Sequence, residues 1–377
     1  MKKLLIVFIV LLLVSCGEKA LPDAPEFEEK VVDLYPIYDY AKEKYGYINS
    51  LGEVIVEPQF THADTFKNGY ALVSVDSKQS AIDETGKICF KPLEDGSYIE
   101  NFGKNGLAPY YKDGKQGYMN TKGEVVIDCI YDGVDAFRHT GLALARLNGK
   151  IGFINESGEW VVEPQFYTVG NFGDNGLAPF SNEKGLYGYL DEQGKIVIQA
   201  QFYWADPFKN GLGRINLDGK NGYINEKGKV VIDCQFDAAY PFSNNGLALV
   251  MSSENSLYGF IDKSGEWVIE PQYSNASSFT DNGLACIYAL GPYGYINASG
   301  EWVIEPNTSF DGAWSFAENG LALVHSEGLY GFIDEKGEWV IEPQFESALG
   351  FEGALAKIYT DGKEGYVNKN GEIFILG

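Results

Sequence analysis

Histidine, methionine and cysteine are scarce in this chain of 377 residues, with three, three and five copies. His62, His139 and His325 fall at unrelated places, none beside a nucleophile or acid in a catalytic pattern, so histidine-based catalysis is not expected. No Cys-x-x-Cys and no Cys/His cluster occurs, which argues against zinc. Positive charge is also short: 29 Lys and Arg face 53 Asp and Glu, a net charge of −24. Such a surface repels nucleic acid and anionic lipid. After the first fourteen residues no apolar run of membrane length follows, and no segment keeps a 3.6-residue apolar period. A helical fold and a further membrane-spanning helix are therefore not expected.

The start is different. Lys2 and Lys3 precede an unbroken apolar run from Leu4 to Val14, too short for a spanning helix but suited to a secretory signal. Leu13-Val14-Ser15-Cys16 resembles a bacterial lipobox, which implies cleavage after residue 15 and acylation of Cys16. Several acyl chains, at about 0.8 kcal/mol per buried CH₂, give stable anchoring. Removing residues 1–15 takes away Lys2 and Lys3 and no acid, leaving 27 basic against 53 acidic residues, or −26. Residues 16–34 hold two prolines and several acids and read as a flexible linker. The expected location is an exported protein, lipid-anchored at the outer membrane or cell surface.

Residues 35–377 are a tandem array. Gly46, Gly117, Gly152, Gly188, Gly222, Gly259, Gly294, Gly331 and Gly365 each precede an aromatic, at spacings of 34 to 37 residues once Ser80 is counted in a degenerate copy. Three residues past each anchor is Asn or Asp, and six past it is Gly, in ten copies of ten. Asn/Asp-x-x-Gly suits a hairpin turn in which the first side chain caps the backbone and the glycine adopts the left-handed conformation. A β-branched strand ending in proline follows, such as Glu338-Trp339-Val340-Ile341-Glu342-Pro343. An irregular crossing then leads through Phe-x-Asn-Gly or Phe-x-x-Asn-Gly to Gly-Leu-Ala-Leu-Val. Each unit thus predicts three short antiparallel strands. Cys129 and Cys234 share one repeat position three repeats apart, so the four cysteines beyond Cys16 read as small hydrophobes rather than disulfide partners.

Aromatic-Gly-Phe/Tyr-Ile-Asp/Asn-x-x-Gly-Glu/Lys-Trp-Val-Ile-x-Pro-x-Phe, followed by Phe-x-x-Gly-Leu-Ala, resembles the WG-containing repeat of bacterial surface and secreted proteins. The Trp before glycine is replaced by Tyr45, Tyr187, Tyr258, Tyr293 and Tyr330, or by Gln116, Ile151, Asn221 and Glu364. The resemblance implies a β-repeat array and no general biochemical activity.

A 35-residue unit cannot bury its own aromatics, so neighbours must cover one another. Propeller blades usually have four strands over about 40–45 residues, in rings of four to eight. Ten three-stranded units therefore predict an all-β open superhelix, capped by residues 35–45 and Glu372-Ile373-Phe374-Ile375-Leu376, with a closed β-propeller as the alternative.

Six tryptophans are candidate binding residues. Trp160, Trp267, Trp302 and Trp339 share one repeat position, where other copies carry aliphatics, and so also suit inter-repeat packing. Trp204 and Trp314 lie in the irregular crossing and better suit an exposed contact. Glu163, Glu270, Glu305 and Glu342 recur before proline, but no Asp-x-Asp-x-Asp-Gly loop accompanies them, so they read as a solvated face rather than a metal site. No cofactor is expected. The pattern points to a non-enzymatic scaffold that binds protein, with glycan binding through aromatic platforms as the alternative.

Overall fold

The computed structural model describes residues 32–94, 96–138, 140–288, 291–307 and 309–377. The signal peptide, Cys16, nearly all of the linker and His139 lie outside them. The described chain forms ten antiparallel sheets in sequence order, here blades 1 to 10. Blade 6 shows the unit: strand a is Trp204–Ala205, b is Gly213–Leu217, c is Lys220–Ile224 and d is Val230–Phe236, hydrogen-bonded in that order. Eight sheets have four strands and two have three. The expected three-stranded unit is therefore corrected to a four-stranded blade. Strand a, hidden in the irregular crossing, is only two residues long in most blades, too short to show a period-two pattern.

Strand c carries the anchoring glycine, and strand d explains it. Strand d pairs with c through register shifts in blade 1 and in blades 3 to 9, a bulge that presses the d backbone onto the glycine. A Cβ on Gly259 would lie 2.5 Å from the Ile269 carbonyl oxygen, and one on Gly222 2.6 Å from that of Ile232. Only glycine admits this approach. Blade 2 shows the consequence of losing it. Ser80 stands at the anchor, its hydroxyl donates to the Phe90 carbonyl at 2.7 Å, and strand d shrinks to one bridge between Ile82 and Ile88.

The c–d turn follows its sequence. The Asn297 Oδ1 accepts from the Ser299 and Glu301 amides at 2.9 and 3.0 Å, and Gly300 has φ +80°. Strand d lies at the sheet edge with Glu163, Glu270, Glu305 and Glu342 exposed. Pro58, Pro164, Pro271, Pro306 and Pro343 withhold an amide there, which blunts edge-to-edge pairing.

The array closes on itself. Blade 1 (35–60) meets blade 10 (347–374) through a parallel bridge between Asp39 and Leu376. The Ala354 amide donates to the Tyr35 hydroxyl at 3.0 Å, and the Glu364 amide to that of Tyr40 at 2.6 Å. Ile37 and Ile48 share a buried cluster with Leu355 and Tyr366. The open superhelix is thus corrected to a closed ten-bladed β-propeller. Residues 35–45 and 372–376 are not caps: each end covers the other. Among the described residues no helix is long and apolar enough to cross a membrane.

Consecutive blades are joined by a repeated polar contact inside an apolar seam. The strand-c tyrosine of one blade donates its hydroxyl to a carbonyl in or just after strand a of the next: Tyr47 to Asp64, Tyr118 to Asp135, Tyr189 to Asp206, Tyr223 to Tyr240 and Tyr295 to Trp314, at 2.5–2.8 Å. Burial raises all five hydroxyls well above the ordinary tyrosine range, so they remain protonated donors. Tyr223→Phe is expected to lower stability by about 1 kcal/mol in denaturant unfolding, because the Tyr240 carbonyl loses its donor. The loss stays modest, since Phe260 fills the same position in blade 7.

Candidate functional site

Strand order gives the ring two rims. One carries the c–d turns and the a–b crossings, and the other carries the b–c turns and the d–a connections. The crossings gather near the axis. One recess of about 660 Å³ draws Phe172, Phe208, Phe242 and Phe279 from four successive blades. Each blade occupies a tenth of the ring, so one segment from four blades can meet only close to the centre. Side chains link these crossings. Asn210 donates to the Phe242 carbonyl at 2.7 Å, Ser243 to the Phe279 carbonyl at 2.9 Å and Asn244 to Asp281 at 2.6 Å. Polar side chains thus tie neighbouring crossings together on this rim, although Asn175 Nδ2, in the blade 5 crossing, is buried without a partner.

The opposite rim carries the exposed aromatics. In blades 8 and 9 half-buried rings also face each other across the b–c hairpin, at or one step inside the strand ends. Tyr288 pairs with Tyr293 in blade 8, and His325 with Tyr330 in blade 9. Their rings stand 5.1 and 4.6 Å apart. Trp314, in strand a of blade 9 (Gly312–Phe316), reaches Tyr330 at 5.9 Å and is 46% exposed. Its indole lies over Gly312, where a Cβ would sit 3.2 Å from Cη2, and its carbonyl is held by Tyr295. A recess of about 170 Å³ opens between blades 8 and 9, lined by Asn275, Cys286, Tyr288, Tyr293 and Trp314. Burial pushes the Cys286 thiol up to about 12, so it stays protonated and unreactive beneath this recess.

Trp204 forms a second cluster on the same rim. It is 48% exposed, packs at 5.0 Å and a tilt of 48° against Tyr187 of blade 5, and donates its indole N–H to Asp206 at 2.7 Å. Asp206 also pairs with Arg214, which fixes the carboxylate that orients the indole. Tyr203 is exposed beside it. Tyr98 and Tyr111 stack at 4.7 Å in blade 3, and Tyr240 approaches Tyr258 at 6.4 Å in blade 7.

The other four tryptophans lie at the blade seams, half-buried. Trp160 meets Tyr131 at 5.5 Å, Trp267 meets Phe236 at 5.8 Å, Trp302 meets Tyr273 at 6.3 Å and Trp339 meets Phe310 at 5.7 Å, all edge-on. Each ring covers an aromatic at or just past the end of the preceding sheet. The ring therefore separates the six candidates into two rim residues and four seam residues.

Sequence reasoning missed the tyrosines before glycine as surface residues. Tyr187, Tyr293 and Tyr330 are the second halves of the rim clusters. Their signal was the pairing of aromatics across the short b–c turn. Where polar residues replace them, a hydrogen bond replaces the ring: Gln116 accepts from the Val134 amide at 2.8 Å, and Asn221 donates to the Asp237 carbonyl at 3.0 Å. His62 and His325 lie in different blades, each near an aspartate. Among the described residues no group of three metal-ligating side chains forms, and the four cysteines are free.

Solved structures resemble this ring at low identity. The crystal structure of a eukaryotic initiation factor matches with a TM-score of 0.54 at 11% identity, covering 82% of this chain and 95% of that one. BamB from Moraxella catarrhalis matches at 0.36 and 10%, over 73% and 94%. The WD40 beta propeller domain of Doa1 matches at 0.29 and 11%, over 61% and 90%. No curated protein sequence matches the chain. The family model for the WG containing repeat matches residues 45–78, 117–150, 151–185, 187–220, 222–254, 258–288, 293–329 and 330–363. With well over half of its length matched in eight repeats, the chain belongs to the WG containing repeat family.

Proposed function

We propose that this protein is a non-enzymatic docking ring of the bacterial cell envelope that grips a protein partner with the aromatic clusters of its b–c rim. The observation that carries the reading is the group at blades 8 and 9, where exposed Trp314 lines a shallow recess with Tyr288 and Tyr293 and packs beside Tyr330, itself in contact with His325. Rigid aromatics held by neighbouring backbone lose little entropy on binding, and they dominate the energetics of protein interfaces. A repeat β-propeller is an architecture typical of interaction scaffolds, which agrees with this use. The leader and Cys16 support a lipid tether that holds the ring at the membrane surface.

The test is affinity capture from envelope extract with the soluble ring and a Trp314→Ala/Tyr330→Ala variant. The variant is expected to lose partner affinity by roughly tenfold or more, with an unchanged circular dichroism spectrum. Equal capture by both proteins contradicts the rim as the docking surface. Paired rings at Trp204–Tyr187 and Trp314–Tyr330 also suit sugar faces, so saturable, tryptophan-dependent binding on a glycan array decides for glycan instead. Substrate turnover contradicts the non-enzymatic reading. Metabolic labelling with a fatty acid is expected to mark the wild-type protein and to disappear in Cys16→Ser. Labelling that persists in the variant contradicts the tether.

A further inference from the structure

In six blades a lysine stands two residues before the strand-c anchor: Lys44, Lys78, Lys115, Lys150, Lys220 and Lys363. Four of them meet a group offered by another part of the ring. Lys115 reaches Asp132 at 2.6 Å, and Lys220 reaches Asp237 at 2.5 Å. Lys150 holds its ammonium 3.1 Å from the centre of the Tyr167 ring. Asp132, Tyr167 and Asp237 occupy one position, directly after strand d. Lys363 approaches the Tyr40 ring at 5.2 Å. The b–c rim thus sets cations of its own against an acid or an aromatic ring.

Blades 5, 7, 8 and 9 break the pattern with Leu186, Leu257, Pro292 and Leu329. In each of them the next residue is a tyrosine: Tyr187, Tyr258, Tyr293 and Tyr330. Only blade 1 combines lysine with tyrosine, as Lys44 and Tyr45. Around blades 8 and 9 the shortage of cations is wider. From Ser264 to Glu335 the sequence has no Lys or Arg, while ten Asp and Glu stand in those 72 residues. The recess of about 170 Å³ lies in this sector. Tyr288, Tyr293 and Trp314 supply its rings, Ala276 and Ala313 line it with small apolar groups, and its lining holds no charged side chain.

We infer that this recess takes a lysine or arginine side chain of the protein partner, a cation supplied in trans where other blades use their own. The inference rests on the docking rim proposed above and names what the partner brings to it. The apolar stem of such a side chain suits Ala276, Ala313 and the indole, while its charged head is attracted to the aromatic rings. Asn275 and Ser315 are exposed in the lining and offer it oxygen acceptors. A sector of acids without bases raises the local concentration of cations and repels acidic segments.

Fluorine NMR of the full chain labelled with fluorotryptophan tests this, with the Trp314 signal assigned by its loss in Trp314→Phe. The probe is the capped pentapeptide Gly-Gly-Arg-Gly-Gly, compared with the same peptide carrying norleucine in place of arginine. The arginine peptide is expected to shift the Trp314 signal saturably, at roughly tenfold lower concentration than the norleucine peptide, and to lose that advantage at high salt. Pro292→Lys restores the lysine within the chain and should weaken binding of the arginine peptide by roughly tenfold, whereas Pro292→Ala keeps it. Equal shifts from the two peptides, or no shift from either, overturn the cationic occupant. The docking rim survives that result if partner capture still depends on Trp314 and Tyr330. Capture indifferent to Trp314→Ala/Tyr330→Ala removes the rim itself.

Discussion

Gly259→Ser is expected to unfold strand d of blade 7 and to lower the melting temperature by several degrees. The added Cβ meets the Ile269 carbonyl oxygen at 2.5 Å and the Pro271 nitrogen at 2.8 Å, both backbone atoms that no rotamer change can clear. Overpacking of this kind costs about 1–3 kcal/mol before any strand is lost. Losing strand d adds to that, because Ile269 and Tyr273 leave a cluster shared with Phe260 and Phe279. Ser80 in blade 2 shows the end state: a serine at this position coexists with a chain that leaves the sheet. Hydrogen exchange should therefore show lost protection over Trp267–Tyr273 and little change in distant blades. Full protection of that strand in the variant contradicts the steric account.

Removing blade 10 (347–377) is expected to abolish the stable monomer rather than to shorten it. In an open array each repeat touches only its neighbours, so the loss of a terminal unit subtracts roughly one repeat and one interface. Here blade 10 covers two faces. Ala348, Ala356 and Val367 bury Phe332 and Phe345 of blade 9, while Leu355 and Tyr366 bury Ile37 and Ile48 of blade 1. The deletion uncovers both at once and breaks the Asp39–Leu376 bridge. Aggregation or a broad transition at lower temperature should follow in size-exclusion chromatography and calorimetry. A well-folded monomer of slightly reduced stability contradicts closure.

Much of the blade was legible. Gly-aromatic, Asn/Asp-x-x-Gly and the proline-terminated strand located c, the c–d turn and d, because local chemistry sets each of them. Gly300 adopts the left-handed conformation that its turn requires, and Asn297 caps that turn. Two features escaped. Strand a is a pair of residues such as Trp204–Ala205, whose pairing with Ile215 and Asn216 is a tertiary fact without a sequence period. Closure rests on contacts between residues more than 300 positions apart, such as Tyr35 with Ala354, and no repeat-level pattern encodes the angle between blades. The rim site was half legible. Trp204 and Trp314 stood out by their placement in the crossing. Tyr187, Tyr293 and Tyr330 looked like replacements for a packing tryptophan, because their solvent-facing partners lie across a turn or on the next blade.

Closure itself is tested by the distance between the terminal blades. Leu51 in blade 1 and Lys369 in blade 10 are both exposed, and both can carry dyes as cysteines once the four native cysteines of the ring are replaced. Gly52 lies against Phe374 across the seam, so single-molecule energy transfer should be high and uniform. Ten sheets stacked at about 10 Å in an open array would instead hold their ends roughly 90 Å apart. Transfer near zero in the folded chain contradicts the ring.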